Sequence, residues 1–371
     1  MLTGAPLSRF RKNLLAWFAE FQRDLPWRRT RDPYRIWLSE IMLQQTRVAA
    51  AIPYYERFLQ RFPTVEALAA APQEDVLRLW SGLGYYSRAR NLQKAAQQIV
   101  ALHGGVFPSE PEQALALPGI GAYTAAAILS IAFQKKHAVL DGNVARVIAR
   151  LDAVRGDLRA NGTWPKLQRS ADHLLAEQSP GDWNQAMMEL GATLCTPRSP
   201  QCLLCPVSEF CEARKHGLAD SIPEKRRKRS TVEITLASLV LVDPRGNTLL
   251  LAPPKSAGKS AAADDIHTLV SRMWHFPTVS VHQGNAGAEA QLRKFSEESS
   301  ILGRKSRAKL LPLKKLRHAV TYRSITLLPF KVEVQTLPRI PSTKAFPLTG
   351  LTSLAISNLT RKVARAALAS P

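Results

Sequence analysis

Hydrophobic positions recur with a helical period through residues 1–220, and short stretches rich in Pro and Gly interrupt the pattern. In "RDPYRIWLSEIMLQQTRV", Asp32 can cap a helix whose first position is Pro33. The stretches "PQEDVLRLWSGLGYYSRARNLQKAAQQIVALHGG" and "PEQALALPGIGAYTAAAILSIAF" continue the same pattern. Because strand-like runs are nearly absent, the pattern predicts an all-helical domain over residues 1–220.

From residue 232 onward the period changes to two. The stretches "TVEITLASLVLVD", "NTLLLA" and "SITLLPFKVEV" predict strands, "DPRGN" a turn, and "GLTSLAISNLTRKVARAALA" a closing helix. Polar and small residues over 253–270 and 282–310 predict loops. We therefore expect an α+β domain over residues 232–371, joined to the first domain by a basic linker, 221–231, which contains the run "KRRKR".

One carboxylate interrupts an otherwise apolar helix in "IWLSEIMLQQT". Glu40 shares a helical face with Ile36, Trp37 and Leu43, where a solvated face would carry polar side chains. Taken alone, such a residue is more often a structural ion-pair partner than a catalytic group. Other motifs are needed to choose between these two roles.

The net charge of the chain points to a polyanionic partner. The sequence has 51 Lys and Arg against 29 Asp and Glu, a net charge of +22, which favours nucleic acid. No apolar run is long enough to span a bilayer, and the first residues lack the features of a signal peptide. We expect a cytoplasmic protein without membrane association, whose cysteines are reduced or metal-bound.

All four cysteines fall in "CTPRSPQCLLCPVSEFC", with the spacing C-x6-C-x2-C-x5-C. Four thiolates in one short segment can hold an iron–sulfur cluster or a structural zinc ion. Zinc sites usually pair two short C-x2-4-C knuckles, and only Cys202 and Cys205 form such a pair here. The wider intervals to Cys195 and Cys211 favour a cluster over zinc.

Two further segments suit a nucleic-acid enzyme. In "LPGIGAYTAAAILS", Gly119 and Gly121 make a tight turn before a fresh helix N-terminus, which could bind a phosphate or could simply join two helices. In "LDGNVARVIARL", Asp141 opens a helix, where backbone N–H groups and the dipole should keep it ionised. Apolar neighbours should raise the pKa of Glu40. Two carboxylates with separated pKa values can act as acid and charge stabiliser in glycosidic bond cleavage.

The motifs "LPGIG", "LDGNV" and the cysteine loop resemble the endonuclease III superfamily of DNA repair glycosylases. Within it, "LPWRRTRDPYRIWLSEIMLQQTRV", "GLGYYSRARNL" and "WNQAMMELGATLC" are similar to MutY-type adenine DNA glycosylases. The resemblance implies a helical glycosylase domain with a helix-hairpin-helix at 112–132, one [4Fe–4S] cluster in the 195–211 loop, and a Nudix-like domain that recognises 8-oxoguanine. The implied reaction is hydrolysis of the N-glycosidic bond of an adenine flipped out of a pair with 8-oxoguanine or guanine in duplex DNA.

The resemblance also implies a role for individual residues. Glu40 would be the general acid that protonates adenine at N7, and Asp141 would stabilise the oxocarbenium sugar. Tyr123 would orient Asp141 or line the pocket, and Asn143 would support the catalytic hydrogen bonds. The implied base- and DNA-binding residues are Arg23, Trp27, Arg28, Leu43, Gln45, Tyr85, Gly119, Gly121, Gln185 and His318. The implied cluster ligands are Cys195, Cys202, Cys205 and Cys211.

The second half departs from the family pattern. "RMWHFPTV" is close to the family's Trp-x-Phe-Pro segment, but the chain has no Nudix box. Where the family's sensing loop reads Phe-Ser-His, we expect a loop with Leu316, Arg317 and His318.

Two other functions need comparison. A bifunctional pyrimidine glycosylase/lyase needs an amine nucleophile after the hairpin, where this chain has Tyr123. A non-enzymatic iron–sulfur redox sensor that binds DNA would leave Glu40 and Asp141 without a role. We expect a monomer that acts on duplex DNA in the nucleoid.

Overall fold

The computed structural model describes residues 2–224, 230–253, 270, 273–281, 287–303, 308–320 and 322–370. The chain forms two compact units. The first unit comprises Met1–Ala70 and Asn91–Arg227, and the second comprises Ala71–Arg90 and Lys228–Pro371. Residues 71–90 therefore group with the C-terminal residues, whereas the boundaries predicted from the sequence leave them in the first domain.

Residues 2–224 are helical and contain no strand, as predicted. The helices in this range are α1 (Gly4–Phe21), α2 (Pro33–Leu43), α3 (Val48–Arg61), α4 (Val65–Ala70), α5 (Gln73–Trp80), α6 (Ser87–His103), α7 (Pro111–Ala116), α8 (Ala122–Phe133), α9 (Gly142–Leu151), α10 (Thr163–Leu174), α11 (Pro180–Thr193) and α12 (Glu212–Lys215). Asp32 caps α2, and its carboxylate accepts the N–H of Tyr34 at 2.8 Å.

Helix α8 lies at the centre of the first unit. Its sequence, "AYTAAAILSIAF", is apolar on almost every side, which is typical of a helix packed on several faces. It packs against α2 and α11, and α11 packs in turn against α1 and α9. Because α2 and α11 both pack against α8, polar side chains from these helices can lie close together in the first unit.

The second unit contains all the strands of the described residues. They are β1 (Val232–Val242), β2 (Asn247–Leu251), β3 (Thr278–Ser280), β4 (Leu311–Pro312), β5 (Leu316–Val320), β6 (Arg323–Glu333) and β7 (Thr343–Pro347). The larger sheet has the order β3-β1-β6-β4, with β5 also paired to β6, and β2 and β7 form a second sheet. β1 and β6 are parallel, whereas the other pairs are antiparallel.

Strand β1 is buried on both faces because a helix covers each side of the sheet. Leu236 and Val240 face the cluster formed with α14 (Asn358–Leu368). Leu239 and Leu241 face the cluster formed with α13 (Ala288–Glu298). This arrangement confirms the predicted α+β class of the C-terminal residues.

Two predictions about the second unit are wrong. The expected loop over 282–310 contains α13, whose amphipathic pattern "AEAQLRKFSEE" is hidden among polar and small residues. Leu316–His318, expected in a loop, lies in β5, where Leu316 pairs with Leu327 and His318 with Ile325.

The run "KRRKR" of the predicted linker lies outside the described residues. None of the helices that the structure describes is long and apolar enough to cross a membrane.

Candidate active site

A cavity of about 540 Å³ opens in the first unit between α2, α8, α9 and α11. Its volume lies within the range of roughly 300–1,000 Å³ that is typical of small-ligand sites. The predicted site residues that line it are Arg23, Trp27, Arg28, Glu40, Leu43, Gln45, Tyr123, Asp141, Asn143 and Gln185. Residues from five separate parts of the chain therefore meet in one place.

Glu40 is a buried acid, and its burial favours the protonated form. Its exposed fraction is 6%, and the Tyr123 hydroxyl donates a hydrogen bond to its Oε2 at 2.5 Å. Burial is the main cause that raises the pKa of Glu40 to about 7, and the nearby Asp141 acts in the same direction, whereas the Tyr123 hydrogen bond and Arg28 lower the pKa. Tyr123 lines the cavity, as the resemblance implies, but its hydroxyl binds Glu40 and not Asp141.

Asp141 is the N-cap of α9, as its place in the sequence suggests. Its Oδ1 accepts the backbone N–H groups of Asn143 and Val144 at 2.9 and 2.7 Å, and its Oδ2 accepts the Asn143 amide at 3.0 Å. These bonds lower the pKa of Asp141, but burial outweighs them, so the expected net lowering is wrong and the pKa is raised from its ordinary value. The three hydrogen bonds still favour the carboxylate over the protonated form.

A third carboxylate in the cavity wall, Glu189, is absent from the residues predicted from sequence. Its side chain accepts hydrogen bonds from Arg23 at 2.7 Å to each oxygen and from Arg28 at 2.7 Å. Burial acts to raise the pKa of Glu189, but the two arginines outweigh it and lower the pKa to about 2. Glu189 lies one helical turn after Gln185 in "NQAMMELG", so its position on α11 already placed it on the same face.

The two glycines of the "LPGIG" turn have different roles in the fold. Gly119 has φ +80°, and a Cβ there would lie 2.8 Å from the Cβ of Asn91, so packing and backbone geometry both require glycine. Gly121 is the N-cap of α8 and has open space where a Cβ would point. Neither glycine is among the residues that line the cavity. Only Gly121 leaves room for a ligand to approach the backbone.

Tyr85 and His318 both belong to the second unit. Tyr85 has φ +48° and is 43% exposed, an uncommon conformation for a residue other than glycine. Ser81, at the base of the same turn, donates to the carbonyl of Ile356 at 3.1 Å and accepts a hydrogen bond from Arg361. His318 is half-buried, and burial together with Lys362 lowers its pKa. Gln45, in the first unit, also has a positive φ, +57°.

The four cysteines line a second, small cavity in the first unit together with Arg150. Arg150 is 2% exposed. Its guanidinium donates to the Cys195 sulfur at 3.2 Å and to the carbonyls of Thr196 and Ile222 at 2.8 and 2.7 Å. Its Nη2 is buried and, among the described residues, has no hydrogen-bond partner. A buried cation with a spare donor beside four thiolates fits an anionic cluster.

Two known protein families match parts of this chain. Residues 38–169 match the HhH-GPD superfamily of base excision DNA repair proteins. This match places residues 38–169 in the HhH-GPD superfamily. Residues 195–211 match the iron–sulfur binding domain of endonuclease III, so the predicted resemblance and the predicted [4Fe–4S] cofactor are both confirmed.

Curated relatives and solved structures agree with this assignment. The adenine DNA glycosylase of Rattus norvegicus is 48% identical over 221 residues, which make up 57% of this chain and 43% of that protein. The adenine DNA glycosylase of Buchnera aphidicola subsp. Acyrthosiphon pisum is 39% identical over 222 residues, 60% of this chain and 63% of that protein. The structure of a thermostable thymine-DNA glycosylase matches with a TM-score of 0.52 and 31% identity, and covers 57% of this chain and 97% of that chain. The chain thus spans less than two thirds of the length of these two curated relatives.

Arg146, which lies within the matched residues 38–169, connects the cavity to the cysteine loop. Its Nη2 donates to the Asn143 side-chain oxygen at 3.0 Å and to the Gly191 carbonyl at 2.8 Å. Its Nε donates to the Cys195 carbonyl at 2.8 Å. Asn143 in turn donates to Asp141. A continuous chain of hydrogen bonds therefore runs from the Asp141 carboxylate to the backbone of the first cluster ligand.

The burial of Glu40 predicts a pH-dependent gain in stability for Glu40→Gln. Between pH 4.5 and about 7 the unfolded chain loses the Glu40 proton while the folded chain keeps it, so the stability of the wild type falls as pH rises. Above pH 7 we expect Glu40→Gln to be more stable than the wild type by about 3 kcal/mol, and near pH 5 the advantage should shrink to about 1 kcal/mol. Urea unfolding of both proteins at pH 5 and pH 8 measures this difference in the free energy of unfolding.

Glu56→Gln, on the exposed surface of α3, is the matched control and should show no such pH dependence. An equal effect of Glu40→Gln at pH 5 and pH 8 would contradict the burial argument.

The spare donor of Arg150 predicts weaker retention of the cluster when the guanidinium is removed. Arg150→Met keeps most of the side-chain volume but removes the charge and all the donors toward Cys195 and Thr196. We expect lower iron content and faster loss of the visible cluster absorbance in a chelator, whereas Arg155→Met, at an exposed position, should match the wild type. Equal iron content and equal loss rates in all three proteins would rule out this role.

Proposed function

We propose that the protein is a monofunctional adenine DNA glycosylase, which hydrolyses the N-glycosidic bond of adenine paired with 8-oxoguanine or guanine in duplex DNA. The observation that carries the proposal is the pair of buried carboxylates in one cavity. Glu40 has a pKa of about 7 and can hold a proton near neutral pH, while three hydrogen-bond donors favour the carboxylate form of Asp141 beside it. An acid and an anion are the two groups that cleavage with an oxocarbenium-like transition state requires.

The reaction begins when adenine leaves the base stack and enters the cavity. Glu40 donates its proton to adenine N7, and the electrons of the bond between C1′ and N9 move onto the purine. The positive charge on the sugar is stabilised by the Asp141 carboxylate, which the N–H groups of α9 fix in place. Water then adds to C1′ and gives a proton to the ionised Glu40, which restores the acid.

Other residues of the cavity fit binding of the flipped base. Gln185 offers an amide that can both donate to and accept from a purine edge. Trp27 is fixed by an edge contact with Tyr55, their ring centroids 5.4 Å apart. Arg28 is held by Glu189 and stacks on Phe18 at 5.2 Å. Because these side chains are fixed before the base arrives, little ordering is needed on binding.

The surface features support duplex DNA as the substrate. The net charge of +22 attracts the phosphate backbone, and the N-terminus of α8 offers free N–H groups behind Gly121. Gln45 and Tyr85 are both exposed and have left-handed backbone conformations, and wedge residues beside 8-oxoguanine would need such exposure. Such strained positions are often found at functional sites.

The lyase alternative lacks its nucleophile in this cavity. Schiff-base chemistry needs an amine close to C1′, and the cavity lining, as far as the described residues show it, includes no lysine. The position after the hairpin is taken by Tyr123, whose hydroxyl is engaged with Glu40.

A duplex with one adenine opposite 8-oxoguanine tests the proposal. With enzyme in excess, we expect strand cleavage only after alkali treatment, because a monofunctional enzyme leaves an intact abasic strand. Glu40→Gln should slow base release by at least about 10²-fold, and Asp141→Asn by a similar factor. Glu56→Gln should release base at the wild-type rate.

Binding of the same duplex should persist in Glu40→Gln, since only proton delivery is removed. Nicking without alkali and an adduct trapped by borohydride would favour the lyase. Binding without any base release by the wild type would favour a sensor.

A further inference from the structure

The turn that carries Tyr85 has an unusual backbone. Within residues 81–86, Gly82, Gly84 and Tyr85 all have positive φ angles, +114°, +73° and +48°. Glycine adopts such angles readily, but a tyrosine keeps one only where the surrounding structure holds it. The contacts of this turn therefore determine where the exposed side chain of Tyr85 lies.

Arg88 holds the turn from within its own segment. It is buried, and its guanidinium lies 5.3 Å from the centroid of the Trp80 ring and 5.7 Å from that of the Tyr85 ring. Its Nη2 donates to the carbonyls of Leu83 and Gly84 at 3.4 and 3.2 Å. The backbone just before Tyr85 is thus bonded to the same side chain that contacts the Tyr85 ring.

The C-terminal part of the second unit holds the same turn through one backbone carbonyl. The carbonyl of Ile356 accepts hydrogen bonds from the hydroxyls of Ser81 at 3.1 Å and Tyr86 at 3.4 Å. Arg361, on α14, donates a hydrogen bond to the Ser81 hydroxyl. Because Ser81 and Tyr86 are both buried, water cannot readily replace these hydrogen bonds. The two ends of the turn are therefore bonded to residues beside the start of α14.

Ile356 is in turn fixed by the core of the second unit. Its side chain is fully buried in the cluster beneath α14, and its backbone pairs with Trp274 in a parallel bridge. Trp274 belongs to "RMWHFPTV", and its ring packs edge-on against Phe346 with centroids 5.3 Å apart. This segment, whose role the proposed chemistry leaves open, therefore supports the carbonyl that holds the Tyr85 turn.

We propose that Ser81 and Arg361 are positioning residues for Tyr85, through which the core of the second unit fixes this side chain before DNA binds. The inference rests on the proposed function, in which Tyr85 enters the base stack beside 8-oxoguanine. Neither positioning residue needs to contact the duplex, because each acts through the turn. A wedge that is fixed in advance loses little conformational freedom when it inserts, so release of the turn should weaken binding of the lesion.

A double-mutant cycle with Tyr85 tests this proposal. The affinity of the full-length protein for a duplex with adenine opposite 8-oxoguanine is measured in proteins that all carry Glu40→Gln, so that adenine stays in place. We expect Ser81→Ala, and separately Arg361→Met, to weaken binding by about fivefold, the effect of losing one buried hydrogen bond. In the Tyr85→Ala background each should change the affinity by less than about twofold, since the side chain they position is absent.

Ser296→Ala is the matched control. It removes another buried hydroxyl of the second unit, which donates to the Leu292 carbonyl at 2.6 Å within α13, and it should keep the starting affinity. A purely structural role for Ser81 would weaken binding equally with and without the Tyr85 ring, or would be matched by Ser296→Ala. Either result, or an unchanged affinity in both Ser81→Ala and Arg361→Met, would overturn the proposal.

Adenine release by proteins that retain Glu40 separates this inference from the proposed function. A wild type that binds the lesion duplex but releases no adenine would overturn the proposed function and leave the affinity cycle intact. Normal adenine release by the wild type, together with equal effects of Ser81→Ala in both Tyr85 backgrounds, would overturn only the positioning role.

Discussion

The burial of Glu40 beside Asp141 in one cavity is the constraint on which the proposed chemistry depends. Glu40 is too deeply buried to ionise at its ordinary pKa, and Asp141 in the same cavity adds a second penalty. One of the two carboxyl groups must therefore keep its proton. The N–H donors of α9 favour the carboxylate form of Asp141, whereas burial favours the protonated form of Glu40.

The fold maintains this asymmetry through α8. This helix begins directly after the glycine turn, presents Tyr123 in its first turn, and continues as an apolar rod against α2 and α11. Arg146, on α9, donates hydrogen bonds to Asn143, which is the side-chain partner of Asp141, and to the backbone carbonyl of Cys195. These bonds connect α9 to the 195–211 loop, which would hold the [4Fe–4S] cluster. The cavity and the cluster loop thus share one framework of hydrogen bonds.

Much of this could be predicted from local pattern, and the exceptions have physical causes. The N-cap at Asp141, the buried Glu40 and the cysteine loop are local signals, and the structure brings Glu40 and Asp141 into one cavity. Glu189 was missed because its importance comes from two arginines more than 160 residues away in the chain. The sign of the Asp141 shift was wrong because desolvation depends on tertiary packing. Helix α13 was missed because its weak amphipathic pattern lies between polar stretches.

The most direct test of the central claim is a titration of Glu40 itself. Infrared difference spectra between the wild type and Glu40→Gln, recorded over a range of pH, isolate the carboxylic acid band of this one side chain. The account predicts that the band persists through mildly acidic pH and disappears with a midpoint near 7. A midpoint near 4.5, the ordinary value for a glutamate, would show that Glu40 holds no proton at neutral pH and would contradict its role as the acid.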